Sequence, residues 1–335
     1  MEAGGEFDVK DILASEIEPI QINACQACGS ILGIPRFSLA GLNKTVVVCD
    51  NCGLGWLEPM PTASEISGYY SDNYYGYGGK KFGTIVEKFV EFIGMRQAMR
   101  FTQGLSRGAR VLDIGCGRGI LLGPLLDLGF DVHGVEYSES AIKGVDERAE
   151  IRISPNLTKI NYTESSFDLV IMRHVLEHLP NPVETIEEIY RILRPGGRLV
   201  VEVPNFSSFQ SRWAKSAWFH LDLPRHLFQF TQLSLSVMLK KCGFRCLSTR
   251  YFSVEHDSFG WIQSVLNRSG YFPRNSLYQL MYKQTGNNSL PSFDFTRMML
   301  KVILVVAIPI AMVMMVIGMI LRTGAIVEIV AEVSD

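Results

Sequence analysis

No charge of either sign dominates this chain. Its 34 acidic residues stand against 32 basic ones, leaving a formal net charge of −2 over 335 residues. There is therefore no overall basic field to argue for nucleic acid as a partner. An apolar run of the secretory kind is also missing from the start. Residues 1–23 are acidic and weakly apolar, and read as a flexible or loosely docked arm that stays in the cytoplasm. Three of the seven cysteines, Cys116, Cys242 and Cys246, have no CxxC spacing. The last two read as packed thiols, and Cys116 falls in a glycine loop where a small side chain suffices. The glycine spacing of a dinucleotide site is absent from that loop as well. Residues 111–119 read Val-Leu-Asp-Ile-Gly-Cys-Gly-Arg-Gly, and Ile120 stands where a dinucleotide-binding Gly-x-Gly-x-x-Gly would place its last glycine. Asp113, two residues ahead of Gly115, suits a cationic ligand better than a diphosphate.

What that stretch does contain is a short apolar run, a glycine-packed turn and an apolar helix, the order of a nucleotide-binding βα unit. Glycines there let the backbone take positive φ and approach a ligand that a Cβ would exclude. The stretch resembles motif I of the class I S-adenosylmethionine (SAM)-dependent methyltransferases. The resemblance implies that Gly115, Cys116, Gly117 and Gly119 pass under the methionine part of SAM beside Asp113. It also implies that Glu136, followed by Tyr137, grips the ribose hydroxyls from the end of the next strand. Asn156 and Leu157 are the nearby candidates for the adenine.

The likeness continues beyond the loop. Residues 167–172 read as a buried parallel strand, and Arg173-His-Val-Leu-Glu-His-Leu179 follows as the family's loop and short helix, which brings Arg173 and His174 to the cofactor. An amphipathic helix over 183–193, a stop at Arg194-Pro-Gly-Gly197 and a strand over 198–203 come next. Over roughly residues 108–204 the resemblance implies an α/β, Rossmann-like, doubly wound fold with a mostly parallel seven-stranded sheet whose last strand is antiparallel. Helices are expected over 121–128 and 141–149, a third strand over 151–154, and a sixth over 244–254 after a helix that Thr231 caps and Gly243 ends.

Ahead of this core, Cys25-x-x-Cys28 and Cys49-x-x-Cys52 are each followed by a glycine, as two knuckles presenting four thiolates to one tetrahedral Zn²⁺ require. Two disulfides are the competing reading, against which a cytoplasmic chain would keep its thiols reduced. Four cysteines leave no position for water, so such a metal is structural. The pattern resembles the zinc-ribbon knuckle that often precedes methyltransferase cores. Tyr69, Tyr70, Tyr74, Tyr75 and Tyr77 then form an aromatic stretch that reads equally as a lid or as packing, before a helix over 81–104. The domain boundaries follow as an arm (1–23), a ribbon (24–60), a linker with a cap helix (61–107), the SAM-binding core (108–255), an insertion (256–323) and a closing strand (324–335).

Residues 220–231, His-Leu-Asp-Leu-Pro-Arg-His-Leu-Phe-Gln-Phe-Thr, read as an ordered loop over the carboxyl ends of the strands, where open α/β sheets bind ligands. Similar Asp-x-Pro-Arg-His segments occur in a subgroup of these methyltransferases. His226, Arg225 and Asp222, with His174, are therefore the expected catalytic residues, His226 or His174 serving as base toward a hydroxyl acceptor. His133 reads as a core histidine and His178 as a cap or an ion pair.

Residues 302–321 are twenty residues without a charge, bracketed by Arg297, Lys301 and Arg322. Length alone would permit a crossing. However, 324–333 alternates like the last strand of the sheet, which places both ends of the segment on one side of a membrane. A monotopic attachment at the inner face, burial in a homo-oligomer and a true span are expected in that order. Together these features imply a SAM-dependent methyltransferase acting on a lipid-linked sugar, an isoprenoid or another amphiphile. A soluble metabolite or protein acceptor, with the apolar helix as oligomer interface, and a non-catalytic binding module are the alternatives.

Overall fold

The computed structural model describes residues 9–12, 18–39, 41–69, 84–281 and 294–334. Tyr70, Tyr74, Tyr75 and Tyr77, together with most of the N-terminal arm, lie outside them. Antiparallel strands β1 (Val9–Asp11), β2 (Ile20–Gln21), β3 (Leu32–Leu39), β4 (Lys44–Cys49) and β5 (Gly55–Glu58) carry the two cysteine knuckles. In each knuckle the glycine N–H closes back on the first cysteine's carbonyl, Gly29 on Cys25 at 2.8 Å and Gly53 on Cys49 at 3.0 Å. This sheet does not end with the ribbon. Strand β11 (Phe228–Gln229), from the distant 220–231 loop, pairs with β5, setting Phe228 opposite Trp56. Leu54 and Leu57 of the ribbon belong to the same hydrophobic cluster as Phe228, Phe230, Leu199 and Val201, so ribbon and core share one interior.

The central sheet is built from β6 (Arg110–Ile114), β7 (Asp131–Glu136), β8 (Glu150–Ile153), β9 (Phe167–Arg173), β10 (Leu193–Pro204), β12 (Phe244–Arg250) and β13 (Ile326–Val333). Their order is β12-β13-β10-β9-β6-β7-β8. The pairs from β8 to β10 are parallel, and β13 runs antiparallel between β10 and β12. This is the mixed, doubly wound seven-stranded sheet that the resemblance implies. Leu169, Val170, Ile171 and Met172 of β9 are all fully buried, as a central parallel strand covered on both faces should be.

Helices α1 (Ala63–Gly68), α2 (Thr84–Phe101), α3 (Leu122–Asp127), α4 (Pro182–Ile192), α5 (Phe209–Ala214) and α6 (Gln232–Lys241) precede α7 (Val254–Ser269), α8 (Ser276–Met281) and α9 (Asp294–Ile320). Two expectations fail here. Residues 141–149 form successive turns, with Gly144 at φ +84° and the Asp146 carboxylate accepting the Arg148 N–H at 3.0 Å, a local bond that competes with helical pairing. The sixth strand stops at Arg250, and helix α7 begins at Val254, so the region expected as strand end and insertion supplies a packed helix.

Helix α9 packs a narrow stripe inward, with Ala311 and Met315 buried, while Val305, Ile310 and Ile320 of its other faces are 71%, 62% and 69% exposed. Its C-terminal end turns through Thr323 and Gly324 directly into β13, and Asn205 Nδ2 holds the Gly324 carbonyl at 2.9 Å. Among the described residues, no helix is long and apolar enough to cross a membrane.

Candidate active site

The end of β6 and the loop that follows make one wall of a cavity of about 710 Å³. Gly115 and Cys116 both donate their N–H to the Val135 carbonyl, at 2.8 and 3.2 Å, which folds the loop tightly over β7. Gly115 sits at φ +69°, and a Cβ there would lie 2.2 Å from Val175 Cγ2, so only glycine fits. Asp113, Gly115, Cys116, Gly117, Arg173 and His174 face the cavity. Burial raises the Asp113 carboxyl to about 7, Arg173 opposing the rise and Glu136 adding to it. A buried carboxylate beside a glycine cradle matches the cationic methionine end of SAM, so the residues present fit that cofactor.

The other expected SAM contacts stand away from the cavity lining. Glu136 is buried and uses both oxygens on backbone, accepting from Gly117 N at 2.8 Å and from Tyr137 N at 2.7 Å. Tyr137 is half exposed, and Asn156 caps a short 3-10 turn by accepting the Thr158 N–H at 2.9 Å. Gly119 serves packing, since a Cβ there would meet Val145 at 2.9 Å.

The opposite wall is apolar and comes from elements remote in sequence: Phe219, Phe259 and Ile262, Tyr278, and Leu304 and Ile308 of α9. Between the two walls lies a buried charge network. Arg173 donates to Glu202 at 2.9 Å and to Glu255 at 3.2 Å. His174 occupies the left-handed region at φ +53°, a conformation that costs a non-glycine residue and recurs at functional sites. Its ring stands 3.2 Å from Glu202 and 3.4 Å from Glu177. Burial alone would lower its pKa, but the two carboxylates outweigh that and raise it to about 9, so His174 is charged at neutrality. His256, whose ring centroid is 4.2 Å from that of His174, is pushed down to about 4 by burial and by the His174 charge. Sequence reasoning missed His256, Glu255 and Glu202. The available signal was an acidic, histidine-bearing helix start, Val254-Glu-His-Asp257, immediately after the sixth strand.

Asp222, Arg225 and His226 do not line the cavity; the structure gathers them with Glu177 and His178 on the far side of His174. Arg225 Nε donates to Asp222 at 3.0 Å. The His178 and His226 rings meet edge to face at 4.6 Å, and burial brings the His226 pKa to about 4. His133 is buried in β7, 3.1 Å from Arg110 Nη2. The four ribbon thiols converge, with Cys25 Sγ 3.6 Å from Cys52 Sγ and Cys28 Sγ 3.5 Å from Cys49 Sγ. Tetrahedral Zn²⁺ with bonds of about 2.3 Å sets sulfurs about 3.8 Å apart, so the four fit that ion.

Residues 89–249 match the methyltransferase-domain family. They form a class I SAM-dependent methyltransferase domain. Among similar curated proteins, the ubiquinone biosynthesis O-methyltransferase of Maricaulis maris is 33% identical over 135 residues, covering 38% of this chain and 53% of that protein. The demethylmenaquinone methyltransferase of Renibacterium salmoninarum is 33% identical over 113 residues, covering 32% and 48%. A SAM-dependent methyltransferase structure from Archaeoglobus fulgidus aligns with a TM-score of 0.46 at 23% identity, over 74% of this chain and 97% of that one. The chain spans about half the length of the curated relatives it matches.

Proposed function

We propose that this chain transfers the methyl group of SAM to a hydroxyl on a small, largely apolar acceptor. The observation that carries this reading is the two-sided cavity, a carboxylate-and-glycine wall facing an aromatic and aliphatic one. Asp113 and the Gly115–Cys116–Gly117 backbone would hold the methionine end, with Glu136 and Tyr137 toward the ribose and Asn156 toward the adenine. When bound, SAM supplies an electrophilic methyl group for in-line displacement, and the chain's task is to hold the acceptor oxygen about 3 Å from it and keep water out. Phe259, Ile262 and Leu304 exclude water from the acceptor side. His174, charged between Glu177 and Glu202, would favour the ionised form of the acceptor hydroxyl, whose proton passes to solvent before the oxygen attacks the methyl carbon and the sulfonium C–S bond breaks, a role that replaces the proton abstraction expected of it from sequence. The names of the relatives, ubiquinone biosynthesis and demethylmenaquinone methylation, support a quinone-like acceptor more directly than a lipid-linked sugar.

The four ribbon thiolates are read as holding one structural Zn²⁺, which braces the 220–231 loop through the β5–β11 pairing. The unpartnered faces of α9, together with the exposed Phe89 and Phe92 and the exposed cations Lys88, Arg96 and Arg322, form an apolar surface with a basic fringe. That chemistry suits an anionic lipid layer, and Leu304 and Ile308 of the same helix reach the cavity. A monotopic attachment at the inner membrane face would deliver an amphiphilic acceptor to this wall.

Calorimetry should show SAM binding that Asp113→Ala abolishes. Labelled methyl from SAM should appear in lipid extracts, and the protein should sediment with vesicles containing an anionic lipid. Label confined to the aqueous fraction, with a detergent-sensitive dimer in solution, would instead assign α9 to an oligomer interface and the acceptor to soluble metabolites. Absence of SAM binding sinks the reading.

A further inference from the structure

We propose that the cleft between the ribbon and α5, rimmed by Arg36, Arg212 and Lys215, binds a phosphate monoester carried on an apolar body. The cleft holds about 390 Å³ and shares no lining residue with the cofactor cavity. That volume falls within the range of small-molecule sites, about 300–1,000 Å³. Strands β1, β3 and β4 of the ribbon form one side, and α5 with the residues around it forms the other.

Charge selects the ligand. Among the described residues, none of the three cationic side chains has a hydrogen-bond or ionic partner. Asp11 is the single acid of the lining, and both its oxygens already accept from Ser216, one from the backbone N–H and one from the hydroxyl, at 3.1 Å each. Three positive charges against one negative leave a surplus of two. A phosphate monoester carries about −1.5 to −2 near neutrality and offers three acceptor oxygens, so it balances the rim. A carboxylate would leave one cation unmatched. The two guanidinium forks also match phosphate oxygens in pairs, which an ammonium group cannot do.

Two further features point to a ligand and away from a merely solvated rim. Ser211 lines the cleft at 5% exposure, and its hydroxyl has no partner among the described residues, so its O–H is free to donate into the cleft. Lys215 takes φ +52° and ψ −126°, a conformation that glycine adopts readily and that strains a residue with a Cβ. The chain thus sets a cation on the rim where glycine would cost less. Below the rim the surface turns apolar. Phe37 is buried with its ring edge-on to Phe206, centroids 6.1 Å apart, and Ile12 and Val48 extend the same floor. A bare phosphate ion would leave that area in water, whereas an apolar body covers it.

The site stands independently of the methyltransferase reading. It is tested by calorimetry on the full-length protein with phenyl phosphate as probe and benzoate as the singly charged control. Phenyl phosphate should bind once per chain, and at least about 10-fold more tightly than benzoate. Arg36→Gln and Arg212→Gln should each weaken it by about 10-fold or more. Lys215→Gly suits the turn, so it isolates the charge: it should weaken phenyl phosphate by about 10-fold without lowering the melting temperature. SAM affinity, measured on the same variants, should stay at the wild-type value; a parallel loss would place the probe in the cofactor cavity and overturn the proposal. Sedimentation with phosphatidic acid vesicles that Arg36→Gln and Arg212→Gln abolish would put the monoester on a lipid, and phenyl phosphate binding without such sedimentation would put it on a soluble molecule. No binding of either, or equal binding by wild type and variants, overturns the site.

Discussion

The two walls of the cavity are made in different ways. Residues 113–117 form the cofactor wall from one βα turn, and the contacts that shape it are local or reach the adjacent strand β7 and Val175, just past the adjacent strand β9. Phe219, Phe259, Ile262, Tyr278, Leu304 and Ile308 form the acceptor wall from segments spread over more than eighty positions, brought together only when α7, α8 and α9 pack. On the proposed reading, the first wall would hold SAM through backbone geometry that almost no side chain can replace. The second would hold the acceptor through apolar area, which tolerates substitution at graded cost. On that reading, the difference separates what would fix the reaction from what would select the acceptor.

Gly115→Ala breaks the cofactor wall most directly. Its φ of +69° costs a non-glycine residue about 1–2 kcal/mol, and a new Cβ 2.2 Å from Val175 Cγ2 forces the loop to move. SAM affinity measured by calorimetry should fall by roughly 100-fold, the equivalent of about 3 kcal/mol. Gly117→Ala sharpens the point. The nearest atom to its Cβ would be the Gly115 carbonyl oxygen at 4.0 Å, so it should cost about 10-fold or less, from its φ of +50° alone. Equal losses in the two variants would show that the close approach to Val175 is not what shapes the loop.

Phe259→Ala should divide the walls the other way. The ring lines the acceptor side and packs against Phe219 with centroids 5.2 Å apart. Removing it should raise the acceptor KM by about 10-fold while leaving the SAM dissociation constant within about 2-fold, since the apolar area lost belongs to one ligand only. A matching loss in SAM affinity would mean that the walls are mechanically coupled.

The same division decided what could be read from the chain. Asp113 and Gly115 were legible because their chemistry is spelled within a few consecutive residues. The closing strand was legible from the alternation over 324–333, although in the fold Ile326–Val333 is buried along most of its length. Residues 141–149, expected as helix, form turns because the Asp146–Arg148 bond and the turn at Gly144 win in the fold. His256 and Glu255 were missed because they matter only through Arg173 and His174, which lie some eighty positions earlier and meet them through the packing of α7. The 220–231 loop was recognised as chemical. That its Phe228 would extend the ribbon's sheet depended on a two-residue pairing too short to carry a periodic signal.

Protonation gives the smallest and most specific test of the cofactor wall. The folded pKa of Asp113, about 7, lies above its ordinary value of 3.8 because burial disfavours the charged form, with Glu136 adding to the rise and Arg173 opposing it. A carboxyl whose folded pKa is raised contributes stability that is full below the unfolded pKa and is lost as pH rises through the folded one. Ligand-free wild-type protein should therefore lose about 1 kcal/mol between pH 6 and pH 8 relative to Asp113→Asn, which cannot ionise there. Urea unfolding of the two proteins at both pH values measures that difference. Over the same interval, wild-type SAM affinity should rise as the carboxylate forms to meet the cationic ligand, so the charge that weakens the empty fold strengthens the occupied one. If the urea difference stays flat while SAM affinity still climbs, the group titrating in the cofactor wall is not Asp113.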